Sequence, residues 1–346
     1  MKVKLLLFSA FITLLSCEKP CEDCNSPKGD YSNGVFVVNE GPWGGSGTIT
    51  WYNPDTGEFR DSIYEKANNG ASLGLFVQSL TFHNGKGYIV VNGANRIVVV
   101  DGDTFEYLDT IGGLSKPRYF QAVDNRLAFV SQWGADGLTG SVAAIDLDFN
   151  EIIKTYPIGH GPEKMLYFQP NNTLFVANSG GFGVDSTIVS IQGDSDSIIV
   201  PHVIPGQKNP ACMSKNMITG GFTPWNVLCK GDWNDPNPAG WIGRPFEHPV
   251  LGESISGGCD DLATSLNGVD YFTTGTEIRR VLADGRTEKV LTTPAYGFNI
   301  HPVTGQFYCA DAKDFNSKGT VTIMRPDGSV DGVFKVGISP GEIVFK

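Results

Sequence analysis

The sequence predicts an all-β protein in which a unit of four strands recurs around a ring, and three observations support this prediction. Glycine is abundant, with 43 residues among 346, and glycine-rich turns are typical of folds with many short strands. Only 18% of the residues are charged, whereas 40% are hydrophobic, so the chain can form a core and is not disordered. The third observation is a segment that recurs along the chain.

The first 33 residues are expected to export and tether the protein. A basic start precedes an apolar run at residues 5–15, which is too short to span a membrane and fits the core of a signal peptide. A Leu-Leu-Ser-Cys motif then ends at Cys17 and resembles the lipobox of bacterial lipoproteins. Residues 1–16 are therefore predicted to be a cleaved lipoprotein signal peptide, and Cys17 the lipidated residue. Residues 17–33 are polar, as in a flexible tether.

Residues 34–346 contain seven copies of one segment, in which a turn with Asn or Gly is followed by an aromatic or apolar anchor and a β-rich run. The anchors are Phe36, Tyr88, Phe129, Phe175, Leu228, Tyr271 and Tyr308. The intervals between them average about 45 residues, which is the length of a four-stranded propeller blade. Most copies continue into a hairpin with an acidic turn and a Pro-marked step. We therefore predict a single seven-bladed β-propeller.

The two ends of the repeat are expected to complete each other. Residues 35–39 match the second strand of a blade that has no first strand before it, whereas residues 341–346 match a first strand with no second strand after it. The C-terminal strand should therefore pair with residues 35–38 and close the ring. This pairing would remove two exposed sheet edges.

Short patterns within the repeat resemble the YncE-like, surface-layer β-propeller lipoproteins. They are Asn39-Glu-Gly-Pro-Trp-Gly, Tyr88-Ile-Val-Val-Asn, Lys116-Pro-Arg-Tyr and Gly159-His-Gly-Pro-Glu. The similar lipobox and length extend the resemblance to BtuG-like surface lipoproteins, which bind cobalamin and cap a TonB-dependent outer-membrane transporter. The resemblance thus implies a lipid-anchored protein on the outer membrane, facing outward, with such a transporter as its partner. Acidic residues after the lipobox are similar to surface-export signals: Glu18, Glu22 and Asp23.

The loops between the second and third strands of the blades are expected to form a binding face. Five of these loops are long, and each carries one aromatic residue among Gly and polar residues: Trp43, Trp133, Phe182, Trp233 and Phe315. The loops that enter each next blade share this face, and polar candidates on it are Glu40, Gln78, Arg118, Glu163 and Lys164. Such a surface suits a large cyclic ligand, a glycan or a protein. Cobalamin is the leading candidate ligand, although each ring could instead pack on its own blade.

Catalysis has less support in the sequence. The five histidines are scattered over different blades, and no H-E-x-x-H motif or G-x-S-x-G elbow occurs. The pairs Asp101/Asp103 and Asp146/Asp148 occupy predicted hairpin turns, where Asp is expected, so we predict no catalytic residue and no metal site. The alternatives to a ligand-binding lipoprotein are an extracytoplasmic lactonase-like or dehydrogenase-like enzyme with a channel-centred site, and a glycan- or protein-binding module.

Charge and cysteine content restrict the partners and the redox chemistry. A formal charge of −11 argues against nucleic-acid binding, which depends on Lys and Arg neutralising phosphates. Apart from Cys17 the chain has six cysteines, an even number that permits disulfides in an exported protein. A bridge among Cys212, Cys229 and Cys259 and free buried thiols both fit the sequence. Cys309 is expected to be a free buried thiol.

Overall fold

The computed structural model describes residues 30–192, 199–215, 224–232 and 234–346. In these residues, 28 strands form seven antiparallel sheets of four strands each, so the predicted seven-bladed propeller is confirmed. The predicted signal peptide, Cys17 and most of the tether lie outside the described residues, as does Trp233.

The strands follow one another blade by blade in chain order. Blade 1 contains β1 (Val35–Asn39), β2 (Thr48–Tyr52) and β3 (Phe59–Arg60). Blade 2 contains β4 (Val77–His83), β5 (Lys86–Val91), β6 (Arg96–Asp101) and β7 (Tyr107–Ile111). Blade 3 contains β8 (Pro117–Ala122), β9 (Leu127–Gln132), β10 (Ser141–Asp146) and β11 (Glu151–Pro157). Blade 4 contains β12 (Pro162–Phe168), β13 (Thr173–Asn178), β14 (Thr187–Gln192) and β15 (Ile199–Val203).

The remaining blades repeat the same order. Blade 5 contains β16 (Pro210–Lys215), β17 (Pro224–Cys229), β18 (Ala239–Arg244) and β19 (Leu251–Ser256). Blade 6 contains β20 (Leu262–Thr264), β21 (Asp270–Thr273), β22 (Gly275–Val281) and β23 (Thr287–Ala295). Blade 7 contains β24 (Gly297–Ile300), β25 (Phe307–Asp311), β26 (Lys318–Met324) and β27 (Val330–Ile338). The last strand, β28 (Pro340–Phe345), belongs to blade 1.

The C-terminal strand closes the ring as predicted. β28 pairs antiparallel with β1, from Val35 opposite Phe345 to Asn39 opposite Pro340. Ile343 is buried with residues of both strands in the cluster between blades 7 and 1. The Nζ atom of Lys346 lies 2.5 Å from an Oδ1 atom of Asp103 in blade 2, so the end of the chain also contacts the next blade.

Neighbouring blades pack through separate apolar clusters, one at each of the seven interfaces of the described structure. The strands supply alternating β-branched and aromatic residues that suit this face-to-face packing. Tyr88 and Phe120, for example, stack with ring centroids 4.3 Å apart between blades 2 and 3. The first strands of the blades contact one another around the whole ring, so their mouth-side ends surround a central channel on a rigid frame.

One short helix and two 3₁₀ turns accompany the strands in the described residues. The helix α1 (Ile63–Ala67) connects blades 1 and 2, and the 3₁₀ turns span Asn92–Ala94 and Gln169–Asn171. Ile63 and Tyr64 of the helix are buried in the cluster between these two blades. Tertiary packing therefore stabilises a helix of five residues, which is too short to produce a periodic pattern.

The described cysteines of the propeller are free thiols. Cys212 lies on β16, Cys229 on β17, Cys259 just before β20 and Cys309 on β25, and all four are buried and unbridged. Of the two alternatives for the first three, the structure thus has the free thiols. Burial raises the pKa of Cys212 to about 11, so this thiol stays protonated and weakly nucleophilic.

Candidate functional site

A bulge at the start of the first strand shapes the mouth of the channel. In blades 1 to 5 the pairing with the second strand shifts register immediately after the first strand residue. The residue before each bulged strand has a left-handed backbone with φ between 48° and 59°: Phe76, Lys116, Gly161, Asn209 and Ser339. A bulge redirects side chains at a strand end, so the residues that follow can face the channel.

These strand starts enclose a cavity of about 130 Å³ at the mouth, to which all seven blades of the described structure contribute. Three of the predicted site residues, Glu40, Gln78 and Arg118, line it together. The predicted polar candidates Glu163 and Lys164 also line it. The other charged and aromatic lining residues were not predicted from the sequence: Tyr119, Lys230, Asp260, Asp261, Tyr296 and Glu342.

Arg118 is the centre of a polar and aromatic cluster on one side of this cavity. Its guanidinium lies 2.8 Å from Oε1 of the buried Glu163 and donates a hydrogen bond to Oε1 of Gln78. The same guanidinium covers the indole of Trp133 at 4.3 Å from the ring centroid, a cation–π contact that gains strength when water is excluded. Four side chains that were predicted separately, Gln78, Arg118, Trp133 and Glu163, therefore form one assembly across blades 2, 3 and 4.

Phe182 extends this cluster to the rim. Its ring meets Trp133 edge-on at 5.7 Å and lies 4.5 Å from Nζ of Lys116. Its backbone N–H donates a 3.0 Å hydrogen bond to the carbonyl of Gly137 in the neighbouring blade. Phe182 is nevertheless 66% exposed, so it presents an aromatic surface to the solvent while its backbone is held by the neighbouring blade.

The other predicted rim residues lie apart from this cluster. Trp43 is 89% exposed and contacts Phe76 of blade 2 edge-on at 5.6 Å. Phe315 is 49% exposed and packs against Tyr296 at 5.0 Å. Phe182 and Trp43 thus contact rings of adjacent blades, whereas Phe315 packs within its own blade.

Glu40 connects the Phe315 side of the rim to the cavity. The hydroxyl of Tyr296 donates a 3.0 Å hydrogen bond to Oε1 of Glu40. Burial raises the pKa of Glu40, although the Tyr296 hydrogen bond and the charge of Arg118 oppose this shift. Burial and the neighbouring Glu40 carboxyl likewise raise the pKa of Tyr296, so its phenol remains a hydrogen-bond donor.

A second ion pair crosses the channel between blades 4 and 6. Nζ of Lys164 lies 2.5 Å from Oδ1 of Asp261, which also accepts a 2.9 Å hydrogen bond from the backbone N–H of Leu262. Burial is the largest single influence on Lys164 and would lower its pKa, but the charge of Asp261, its hydrogen bond with Lys164 and the neighbouring Cys212 and Tyr119 together hold that pKa well above its usual value. This ion pair therefore joins blades 4 and 6 within the lining of the cavity.

Besides Glu40, two further carboxyl groups of the cavity have raised pKa values. Glu342 accepts a 2.8 Å hydrogen bond from the backbone N–H of Leu80, but burial raises its pKa to about 7. Burial also raises the pKa of Asp260, against the opposing charge of Lys230. Perturbed carboxyl groups in a cleft are typical of functional sites.

Metal and membrane features are not found in the described ranges. No group of three or more His, Cys, Asp or Glu side chains in the part of the chain that the structure describes is placed to hold a metal ion. Asp101 caps its hairpin turn by accepting hydrogen bonds from the backbone N–H groups of Asp103 and Thr104, as expected for a turn residue. Between residues 30 and 346, outside the gaps, no helix is long and apolar enough to cross a membrane.

Comparison with known proteins supports the fold. A family described as "Domain of unknown function (DUF5074)" matches residues 33–202, and no curated protein matches the chain. A quinonprotein alcohol dehydrogenase-like protein from Bacteroides thetaiotaomicron is similar in structure, with a TM-score of 0.64 at 15% identity, over 91% of this chain and 79% of that one.

Two structures described as putative 6-phosphogluconolactonases are similar to the same extent. The one from Bacteroides fragilis has a TM-score of 0.64 at 13% identity, over 91% of this chain and 98% of that one. The one from Bacteroides uniformis has a TM-score of 0.61 at 14% identity, over 91% of this chain and 100% of that one. At these identities the likeness establishes a shared β-propeller fold.

Proposed function

We propose that this protein binds a ligand at the mouth of its channel, and that the Arg118–Trp133 stack is the centre of the site. The stack combines a charged group that is already hydrogen-bonded with a large aromatic surface, and Phe182 fixes that surface from the neighbouring blade. Pre-organised aromatic and Arg side chains supply much of the binding energy at recognition sites. Exposed Trp43 and Phe315 extend the apolar area around the mouth.

The shape of the site favours a ligand with a broad body and a small polar arm. The cavity of about 130 Å³ is smaller than the pockets of about 300 Å³ or more that enclose whole drug-sized ligands. A broad ligand would therefore cover the rim and insert only one substituent. A corrinoid, with apolar edges and amide groups, fits this description, so cobalamin is the first candidate.

Calorimetry with cyanocobalamin tests this proposal. We expect Trp133→Ala to weaken binding by about 2 kcal/mol, or about thirtyfold in affinity, because the Arg118 guanidinium and Phe182 both lose their aromatic partner. Phe149→Ala is the matched control, because Phe149 is a 71% exposed aromatic side chain in the turn after β10, on the opposite face. If the wild-type protein at micromolar concentration gives no heat, cobalamin is excluded as the ligand.

We also propose that the protein is a surface lipoprotein of the outer membrane and delivers its ligand to a TonB-dependent transporter. The path of β1 supports this arrangement. The chain enters blade 1 beside Lys346, where the N–H of Gly34 donates a 3.0 Å hydrogen bond to the Lys346 carbonyl, and leaves β1 at Glu40 in the mouth. A lipid on Cys17 would thus attach to the face opposite the mouth and leave the mouth free to take up a ligand from the medium. Delivery then requires the propeller to turn on its tether until the mouth meets the transporter.

Fractionation tests the anchor. Cys17→Ala should release the protein from the membrane fraction or block its maturation, because the thiol that would carry the lipid is lost. Cys21→Ala is the matched control, since it removes a cysteine four residues further along the same segment. Equal membrane association and protease accessibility of Cys17→Ala and wild-type cells would contradict the anchor.

An enzyme of the propeller class is a second candidate, favoured by Glu342. This carboxyl group lines the cavity beside Lys164 and Asp261, and a pKa of about 7 suits a general acid or base. The putative lactonases share the fold, so a sugar lactone is the substrate to test. Proton release from 6-phosphogluconolactone that Glu342→Gln abolishes would support this candidate. Release at the uncatalysed rate with the wild-type protein would eliminate it.

A further inference from the structure

Two charged side chains of the mouth cavity interact with each other only through their charges and are not hydrogen-bonded or ion-paired in the described structure. Arg118, Lys164 and their carboxylate partners form ion pairs. The ammonium group of Lys230 and the carboxylate of Asp260 both line the same cavity, but neither makes a hydrogen bond or an ion pair in the described residues. These two charges therefore differ from the ion pairs that hold the mouth together.

The backbone fixes both residues in place. The N–H of Lys230, just after β17, donates a 2.9 Å hydrogen bond to the carbonyl of Asn209. The N–H of Asp260, just before β20, donates a 2.9 Å hydrogen bond to the carbonyl of Thr273. The two charges are thus presented from adjacent blades by anchored strand ends.

The Lys230 ammonium and the Asp260 carboxylate together favour a ligand group that donates a hydrogen bond at one end and accepts one at the other. A carboxylate would pair with Lys230 but repel Asp260 and the nearby Glu40, and an ammonium ion would pair with Asp260 but repel Lys230. A primary carboxamide avoids both penalties, because its carbonyl accepts from the ammonium and its NH₂ donates to the carboxylate. It also brings no net charge into a partly buried site, which would be costly.

We propose that Lys230 and Asp260 form a subsite for a primary carboxamide, which is the polar arm of the ligand that covers the rim. This inference rests on the ligand-binding function proposed above and adds the chemical class of the inserted group. The cavity volume of about 130 Å³ accommodates a carboxamide with a short alkyl stem, because a water molecule occupies about 30 Å³ in the liquid.

Three probes of equal chain length test the subsite: propionamide, propionate and propylammonium. Ligand-observed NMR titrations would give the order of their affinities for three proteins, namely wild type, Lys230→Met and Asp260→Leu. We expect wild type to prefer propionamide at least fivefold over both ions. Lys230→Met should prefer propylammonium and Asp260→Leu should prefer propionate, because each variant leaves one uncompensated charge. Neither charged group makes a hydrogen bond or an ion pair in the described residues, so both variants should fold normally.

The outcomes separate this inference from the proposed ligand. The same order of affinities in all three proteins, or no propionamide binding by wild type, would overturn the subsite. Equal affinity of cyanocobalamin for wild type, Lys230→Met and Asp260→Leu would also overturn it while leaving the ligand-binding function intact. Conversely, the expected reversal of preference without any cyanocobalamin binding would support the subsite and reject cobalamin.

Discussion

At the scale of single residues, the ionisation of Glu342 couples the stability of the mouth to pH. Its pKa rises from 4.5 to about 7 on folding because the group is buried, so the folded protein holds this proton more tightly than the unfolded chain. The free energy of unfolding should therefore fall as the pH rises from about 4.5 to about 7, and level off above. The stabilisation that comes from the raised pKa of Glu342 is fully present below pH 4.5.

Glu342→Gln should remove this pH dependence, because the amide cannot ionise but its oxygen can still accept the hydrogen bond from Leu80. We expect the variant to exceed wild type in free energy of unfolding by about 3 kcal/mol at pH 8 and to match it at pH 4. Urea unfolding at the two pH values measures the difference. The same difference between the proteins at both pH values would contradict a titrating Glu342.

Some of the mouth residues could be predicted from the sequence because a Pro marks their position. Arg118 directly follows Pro117, and Glu163 directly follows Pro162, so the phase of the repeat locates them. Asp260 and Tyr296 occupy the equivalent position in blades 6 and 7, but Cys259 and Ala295 precede them instead of Pro. The contact between Arg118 and Trp133 depends on rotamers and blade spacing, which a sequence pattern does not contain.

At the scale of elements, the rim depends on contacts between loops of different blades. The loop after β9 and the loop after β13 meet where Phe182 packs over Gly137, whose backbone is left-handed with φ 72°. A Cβ atom at this position would lie 2.2 Å from Cδ2 of Phe182. The sequence showed each loop to be long and aromatic, but a contact between two loops is tertiary and left no local signal.

Gly137→Ala should therefore displace the Phe182 ring and break the hydrogen bond from its N–H to the Gly137 carbonyl. We expect faster hydrogen exchange at the Phe182 amide, measured by NMR or mass spectrometry. Gly57→Ala is the matched control, because Gly57 has the same φ of 72° but an added Cβ would meet nothing within 4 Å. Both variants bear a left-handed strain of about 1–2 kcal/mol. Equal exchange at Phe182 in the two variants would contradict the contact.

At the scale of the whole molecule, the fold could be predicted almost completely. A repeat of about 45 residues determines the blade, and the unmatched strands at the two ends determine how the ring closes. The irregular pattern of residues 230–256 nevertheless conceals a regular hairpin, in which Ala239 pairs with Ser256 and Arg244 with Leu251. Glycines in both strands weaken the alternation there, while Trp241 and Ile255 are buried in the clusters on either side of the blade.

Deleting residues 341–346 should destabilise all seven blades together, because β1 would become an open edge and the cluster between blades 7 and 1 would lose Ile343. We expect a loss of more than about 3 kcal/mol in the free energy of unfolding, seen as a lower melting temperature and aggregation through the exposed edge. Lys346→Ala keeps the strand but removes the ion pair with Asp103 and the hydrogen bonds from Nζ to the carbonyls of Tyr31 and Gly102, so it should cost less than the deletion. Wild-type melting of the deletion variant would refute closure by this strand.

The bulge that recurs in blades 1 to 5 gives the mouth of the channel a series of equivalent side-chain positions. In blades 1 to 5 the residue after the first strand position lines the cavity, and Asp260 and Tyr296 occupy the equivalent position just before the first strands of blades 6 and 7. Two of these positions carry almost no side chain, because Ala211 and Gly341 line the cavity where other blades place Arg, Glu or Tyr. Ala211 also belongs to the apolar cluster between blades 5 and 6, and a Cβ atom at position 341 would lie 2.7 Å from Oε1 of Glu40. A larger side chain at either position would therefore change the volume and charge of the cavity together with the packing beside it, so ligand preference in this protein can evolve only within the limits that these neighbours set.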